Sequence, residues 1–89
     1  MAWSIKFDRK AERELDRLDP QIARRINRFL FERVAPLDDP RSLGEALKGS
    51  ELGELWKYRV GDYRIIAEIQ DKVLRIYVLE IGDRKEVYR

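Results

Sequence analysis

Apolar and polar positions alternate at the start of the chain. Trp3, Ile5 and Phe7 fall on one side and Ser4 and Lys6 on the other, the two-residue period of a short strand. The period then lengthens. Ala11, Leu15 and Leu18 recur at spacings of four and three behind Asp8, whose carboxylate suits a helix N-cap. Arg9, Glu12, Arg13, Asp16 and Arg17 take the opposite face. Asp19-Pro20 stops this helix and starts another, with Asp at the cap and Pro at the first helical position. The second helix is predicted from Pro20 to Val34, burying Ile22, Ile26, Phe29, Leu30 and Val34. The two form an αα-hairpin.

Residues 36–53 hold Pro36, Asp38-Asp39-Pro40, Gly44, Gly49 and Gly53, the punctuation of a connector. One short turn of helix is expected in it, around Leu43 to Leu47. From Glu54 the period returns to two. Leu55 to Val60, Tyr63 to Gln70 and Val73 to Ile81 are predicted strands rich in β-branched and aromatic residues. Gly61-Asp62 is a good two-residue hairpin loop, and Asp71-Lys72 a plausible second. A last short strand is expected at Glu86 to Tyr88. Strand, helix, helix and meander make an α+β fold: an antiparallel three- to four-stranded meander with the helices packed on one sheet face. The 89 residues suit a single domain, 1–89.

Composition narrows the chemistry. Charged residues make up 40% of the chain, and no run approaches the ~18 apolar residues of a spanning helix. The N-terminus lacks the apolar core of a signal peptide, so a cytoplasmic protein without a membrane is expected. There is no cysteine and no histidine. Disulfides, thiolate zinc sites, thiol nucleophiles and Ser-His-Asp arrangements are excluded. The carboxylates show no metal-loop spacing, and no metal or cofactor is expected. The net charge is only +2, but arginine outnumbers lysine 13 to 6. Arginine grips phosphate bidentately.

With Gly61-Asp62 as the whole loop, Val60 faces Tyr63, Arg59 faces Arg64, Tyr58 faces Ile65 and Lys57 faces Ile66. Alternation then separates two faces. Trp56, Tyr58, Val60, Tyr63, Ile65, Ala67 and Ile69 form the core face, joined by Leu74, Ile76 and Val78. The other face shows Lys57, Arg59, Arg64, Ile66, Glu68, Arg75, Tyr77 and Leu79, with Glu68 opposite Arg75. Three cations gather there with no carboxylate directly opposite. Like charges across a strand pair are destabilising, and such local conflicts occur at functional sites. The tail adds Arg84, Lys85, Tyr88 and Arg89 after Gly82, near the end where Arg59 and Arg64 sit. A basic pocket with a tyrosine at its rim is the expectation. The plain alternative is a solvated face shielded by acids from residues 31–56.

Such a pocket suits a phosphate-rich polyanion. RNA carries its own nucleophile, so cleavage needs neither histidine nor metal. The 2′-hydroxyl attacks phosphorus, and the protein removes its proton, stabilises charge on phosphate and protonates the 5′-oxygen. DNA lacks that hydroxyl, so the substrate would be RNA.

Leu47-Lys48-Gly49, Leu55-Trp56-Lys57-Tyr58-Arg59-Val60-Gly61-Asp62-Tyr63-Arg64-Ile65 and Ile81-Gly82-Asp83-Arg84-Lys85-Glu86-Val87-Tyr88-Arg89 resemble the RelE/ParE toxin superfamily. The resemblance covers essentially the whole chain. It implies a RelE-like fold and a type II toxin that cleaves mRNA in the ribosomal A site. It implies a cognate antitoxin, the ribosome and mRNA as partners, with operator DNA reached only through the antitoxin. Carried over by position, the catalytic residues are Lys57, Arg59, Arg64, Arg84 and Tyr88. Arg64 would stabilise the phosphate, and Lys57 and Arg59 would share that charge. Arg84 would support the leaving group, and Tyr88 would orient the nucleotide or act as base. Arg13, Arg17, Arg25 and Arg28 on the helices, with Lys85 and Arg89, are candidate nucleic-acid contacts. Asp83 departs from the family's common basic residue or histidine, and the sequence ends one residue after Tyr88, where several relatives carry a further helix. Two other readings stand beside this one: a ParE-like inhibitor that binds DNA gyrase, and an inert relative that only binds its antitoxin.

Overall fold

The computed structural model describes residues 3–47 and 55–83. The first strand, β1, runs Ser4–Phe7. Asp8 then caps α1 (Arg9–Arg17), its carboxylate accepting the Lys10 N–H at 3.1 Å. Asp19 caps α2 (Pro20–Arg28) in the same way, accepting from Gln21 N–H at 2.9 Å with Pro20 in the first turn. The helix continues to the predicted end at Val34, but its last six residues, Phe29–Val34, form a π-helix. The connector differs from expectation. A single 3₁₀ turn occupies Pro40–Ser42, and Glu45–Ala46 is a two-residue strand, β2, in place of a helical turn.

Three longer strands follow: β3 (Leu55–Val60), β4 (Tyr63–Gln70) and β5 (Arg75–Asp83). The sheet order is β1-β5-β4-β3-β2, antiparallel except that β1 pairs parallel to β5. The β3–β4 register is the predicted one, with Arg59 opposite Arg64 and Lys57 opposite Ile66. The β4–β5 turn is longer than two residues. Asp71–Val73 forms a 3₁₀ turn, and Leu74 adopts a left-handed conformation at φ 50°. Gln70 therefore pairs with Arg75, and Glu68 pairs with Tyr77 rather than with Arg75. Glu68 accepts from Gln70 at 2.6 Å instead. A bulge then separates Ile66↔Glu80 from Ala67↔Val78 and leaves Leu79 without a register partner.

One face of the sheet is covered by the helices. Ala11, Ile26, Leu30 and Val34 meet Tyr58, Ile65, Ile76, Val78 and Ile81 in a buried core. Each fully buried Leu or Ile contributes about 1.5–3 kcal/mol. The expected structural roles of Trp3, Trp56 and Tyr58 are borne out. Trp3 and Tyr58 are buried, Trp56 packs at the core edge, and all three donate to connector carbonyls, of Asp38, Pro40 and Leu43. Glu14, on α1, reaches across to the sheet. Its carboxylate accepts the Ile81 N–H at 2.9 Å, satisfying a β5 edge group beyond the end of β1.

Two carboxylates, Asp8 and Asp71, tie the periphery together. Arg41 grips Asp71 through two bonds of 2.9 Å, which holds the Asp71 carboxyl below its ordinary range. Tyr77 O–H donates to Asp8 at 2.7 Å and, with the Lys10 N–H, lowers the Asp8 carboxyl too. A carboxylate with a lowered folded-state value contributes stability that is complete above its unfolded value, near pH 4. That contribution is lost as the pH falls through the lowered value. The urea midpoint is expected to hold level from neutral pH to about 5 and to drop below about 4. The drop should be shallower in Asp8→Asn/Asp71→Asn. An equally steep fall in that variant would assign the acid sensitivity to other carboxylates.

Candidate functional site

The sheet face away from the helices carries the chemistry. Its rows run across the strands. Arg59, Arg64 and Gly82 stand side by side on β3, β4 and β5. The next row is Glu45, Lys57, Ile66 and Glu80. Arg59 is exposed, whereas Arg64 is only 4% exposed. The two guanidinium-bearing positions therefore face one another as predicted, one at the surface and one sunk into the sheet.

Lys57 is not without a carboxylate opposite. β2 places Glu45 directly across from it, with Lys57 Nζ 3.0 Å from Glu45 Oε1. The lysine side chain is 14% exposed and the glutamate 63%. This is the shielding by residues 31–56 that the plain reading foresaw, and it corrects the expectation of three unopposed cations. Gly44, Glu45, Lys57 and Arg59 line one cleft of about 300 Å³. At its side, Leu47, Leu55, Ile66 and Leu79 form an apolar hollow closed by Lys10 and Glu80, which are ion-paired. The ammonium of Lys10 is held charged chiefly by that bond to Glu80.

Gly44 makes this cleft possible. Its φ is +75°, and a Cβ there would lie 2.4 Å from the Lys57 carbonyl oxygen. Only glycine lets the connector reach the β3 edge closely enough for Glu45 to pair with Lys57. Glu45 is the residue that sequence reasoning missed. Its only signal was the glycine before it, since a two-residue strand shows no periodicity.

The other expected residues divide by position. Arg25, Arg28 and Arg59 line a second cleft between α2 and the β3–β4 turn. Arg13 and Arg17 are exposed on α1, away from both clefts. Arg84, Lys85, Tyr88 and Arg89, and the expected strand at 86–88, lie outside the described residues. β5 ends beside Arg64, with Asp83 opposite Tyr63. Two described tyrosines are held protonated. Burial raises the Tyr58 hydroxyl well above its usual value, and the bond to Asp8 raises that of Tyr77. Neither is placed to accept a proton at neutral pH. Among the described residues no three His, Cys, Asp or Glu side chains gather as a metal set would require.

The family model of the ParE toxin of type II toxin-antitoxin system, parDE, matches residues 5–88. The chain belongs to this family. The Toxin RelE of Mycobacterium tuberculosis is 35% identical over 87 residues, 98% of this chain and 87% of that relative. The mRNA interferase toxin RelE of Escherichia coli is 28% identical over 90 residues, 99% of this chain and 92% of the relative. Among solved structures, the toxin-antitoxin complex RelBE2 from Mycobacterium tuberculosis superposes with a TM-score of 0.82 at 26% identity. That match covers 94% of this chain and 93% of the other. The family resemblance read from residues 47–65 and 81–89 is thus borne out, and so is the α+β fold.

Proposed function

We propose that this protein is the toxin of a type II toxin–antitoxin pair and acts as an mRNA endonuclease on the ribosome. The observation that carries the reading is the opposed Arg59 and Arg64 beside the Lys57–Glu45 pair, on the one sheet face that the helices leave open. Relatives named mRNA interferase support it. A message strand lies on that face with its scissile phosphate against Arg64 and Arg59. The 2′-hydroxyl gives its proton to the Glu45 carboxylate, and its oxygen attacks phosphorus. The P–O5′ bond breaks, leaving a 2′,3′-cyclic phosphate, and the 5′-oxygen takes a proton from water to leave as a hydroxyl. Arg64, Arg59 and Lys57 stabilise the charge that grows on the phosphoryl oxygens. Arg84 and Tyr88 complete the site from the tail, as the family resemblance implies. Orientation of the message by the ribosome supplies what so sparse a site lacks.

A cognate antitoxin holds the toxin inactive, as the solved toxin-antitoxin complexes of its structural neighbours support. A message under translation as substrate supports work in the cytoplasm. Among the described residues no helix is long and apolar enough to cross a membrane.

Primer extension on a translated message, with and without ribosomes, tests the reading. Cuts in A-site codons that require ribosomes are expected. Glu45→Gln should slow them by about a hundredfold, the lower end of what a general base contributes, because Glu45 is open to water. Intact message beside arrested growth would instead favour an inhibitor that binds DNA gyrase, and full activity in Glu45→Gln would return the role of base to the tail or to Lys57.

A further inference from the structure

The second cleft, on the helix side of the β3–β4 hairpin, has no part in the chemistry above. It measures about 320 Å³ and gathers Arg25, Arg28, Arg33 and Arg59 around Phe29 and Gly61. One carboxylate, Glu32, shares it and sits 3.7 Å from Arg28, with both side chains about 70% exposed. Such an exposed i,i+4 pair is weak. Four arginines against one glutamate leave the cleft strongly positive in a chain whose net charge is only +2.

Two backbone features assemble it. In an uninterrupted α-helix, residues five apart stand about 140° apart around the axis, so Arg33 would turn away from Arg28. The π-helical segment replaces that geometry with i→i+5 bonding, as in Ala35 N–H to the Leu30 carbonyl at 2.9 Å. Arg33 thereby returns to the cleft that Arg28 lines. Gly61, at φ +60°, lets Arg25 lie against the hairpin turn; a Cβ there would come within 3.1 Å of Arg25 Nη1. Phe29 fixes the helix against the sheet through an edge-to-face contact with Tyr58, ring centroids 5.9 Å apart. Arg59 lines this cleft and also the one holding Lys57 and Glu45. The two basic surfaces are continuous through a single side chain.

The geometry points to a second phosphate subsite. Arg25, Arg28 and Arg33 bind a backbone phosphate of the same message strand whose scissile phosphate lies on the sheet face, and Arg59 bridges the two. This inference rests on the RNA reading given above. The strand turns over the edge of the β3–β4 hairpin, which holds the RNA by its backbone and leaves its bases unread. The occupant is single-stranded RNA because the bridge through Arg59 joins the cleft to the face where the message lies.

The test uses the full chain and a single-stranded RNA oligonucleotide made uncleavable by a 2′-deoxy sugar at the scissile position, with binding followed by fluorescence anisotropy across a salt series. Because no cleavage is needed, binding is scored whether or not the chain proves to be a nuclease. Arg25→Ala/Arg33→Ala is expected to bind about tenfold more weakly. Its slope of log affinity against log salt should be shallower by about 0.7, the one phosphate of the subsite on a single strand. Lys72→Glu removes the same net charge from an exposed turn remote from the cleft and should change neither quantity. Equal behaviour of the two variants overturns the subsite. So does a loss confined to co-sedimentation with message-free ribosomes, which would assign the cleft to ribosomal RNA. A loss confined to antitoxin binding overturns it as well, and would assign the cleft to an acidic protein segment.

Discussion

Arg64→Ala is expected to lower message cleavage by about a thousandfold, the upper range for removing one donor from a transition-state anion site. Arg64 is the site's most enclosed cation, with 4% of its surface exposed. It stands between Arg59 on β3 and Gly82 on β5, so no neighbouring side chain can swing across to replace its charge from the β5 side. Water screens it little, and its guanidinium acts in surroundings of low dielectric where a charge is worth more than at the surface. Arg64→Lys keeps the charge but loses the planar fork that matches a phosphate, and should recover only part of the rate. Primer extension with ribosomes gives the rates, and thermal melting gives the control. If cleavage falls only in step with melting temperature across both variants, Arg64 is a packing residue and its place in the chemistry is lost.

Gly44→Ala should be the most destabilising single methyl in the described chain. A left-handed alanine costs about 1–2 kcal/mol. The new Cβ would also lie 2.4 Å from the Lys57 carbonyl oxygen, 2.8 Å from Trp56 Nε1 and 2.9 Å from Tyr58 Cδ1. The first is backbone inside a sheet and cannot rotate away. About 3 kcal/mol in total corresponds to a fall of about 15 °C in Tm for a domain of this size. The damage reaches the site because β2 must retreat, taking Glu45 from Lys57. Cleavage measured well below the new melting temperature should therefore also fall. A variant that melts as the parent does, with normal cleavage, would mean that the connector does not need to approach β3 this closely.

Those two positions differ in how far the sequence reveals them. Arg64 was legible because Gly61-Asp62 closes a two-residue hairpin, which fixes the register of everything beside it. The placement of Arg59 opposite Arg64 and the division of β3 and β4 into two faces follow from that loop alone. The β4–β5 turn was not legible in the same way. Its left-handed residue is Leu74 rather than glycine, and the core contacts of Leu74 hold it there against local preference. The two-residue loop at Asp71-Lys72 therefore looked as good, and Glu68 was set opposite the wrong residue. β2 escaped for another reason. Two residues carry no period, and Glu45–Ala46 becomes a strand only because Gly44 and the Trp56 bond to the Leu43 carbonyl press it to the sheet. The carboxylate of the candidate site is thus a tertiary product. The π segment is equally silent, since Ile26, Phe29, Leu30 and Val34 suit either helical repeat.

The bulge at Leu79 sets a rule about chain length. Up to Val78, even-numbered residues of β5 point into the core; beyond the bulge Ile81 does, and Gly82 turns to Arg64. Straightening the strand there without removing a residue would invert its last part. A glycine would be offered to the core, an isoleucine to the arginine row, and the tail would start from the opposite side of the sheet. Side-chain replacements at Leu79 should be tolerated, and so should its deletion, which closes the bulge and keeps Ile81 and Gly82 on their present faces; thermal melting of the deletion variant checks this.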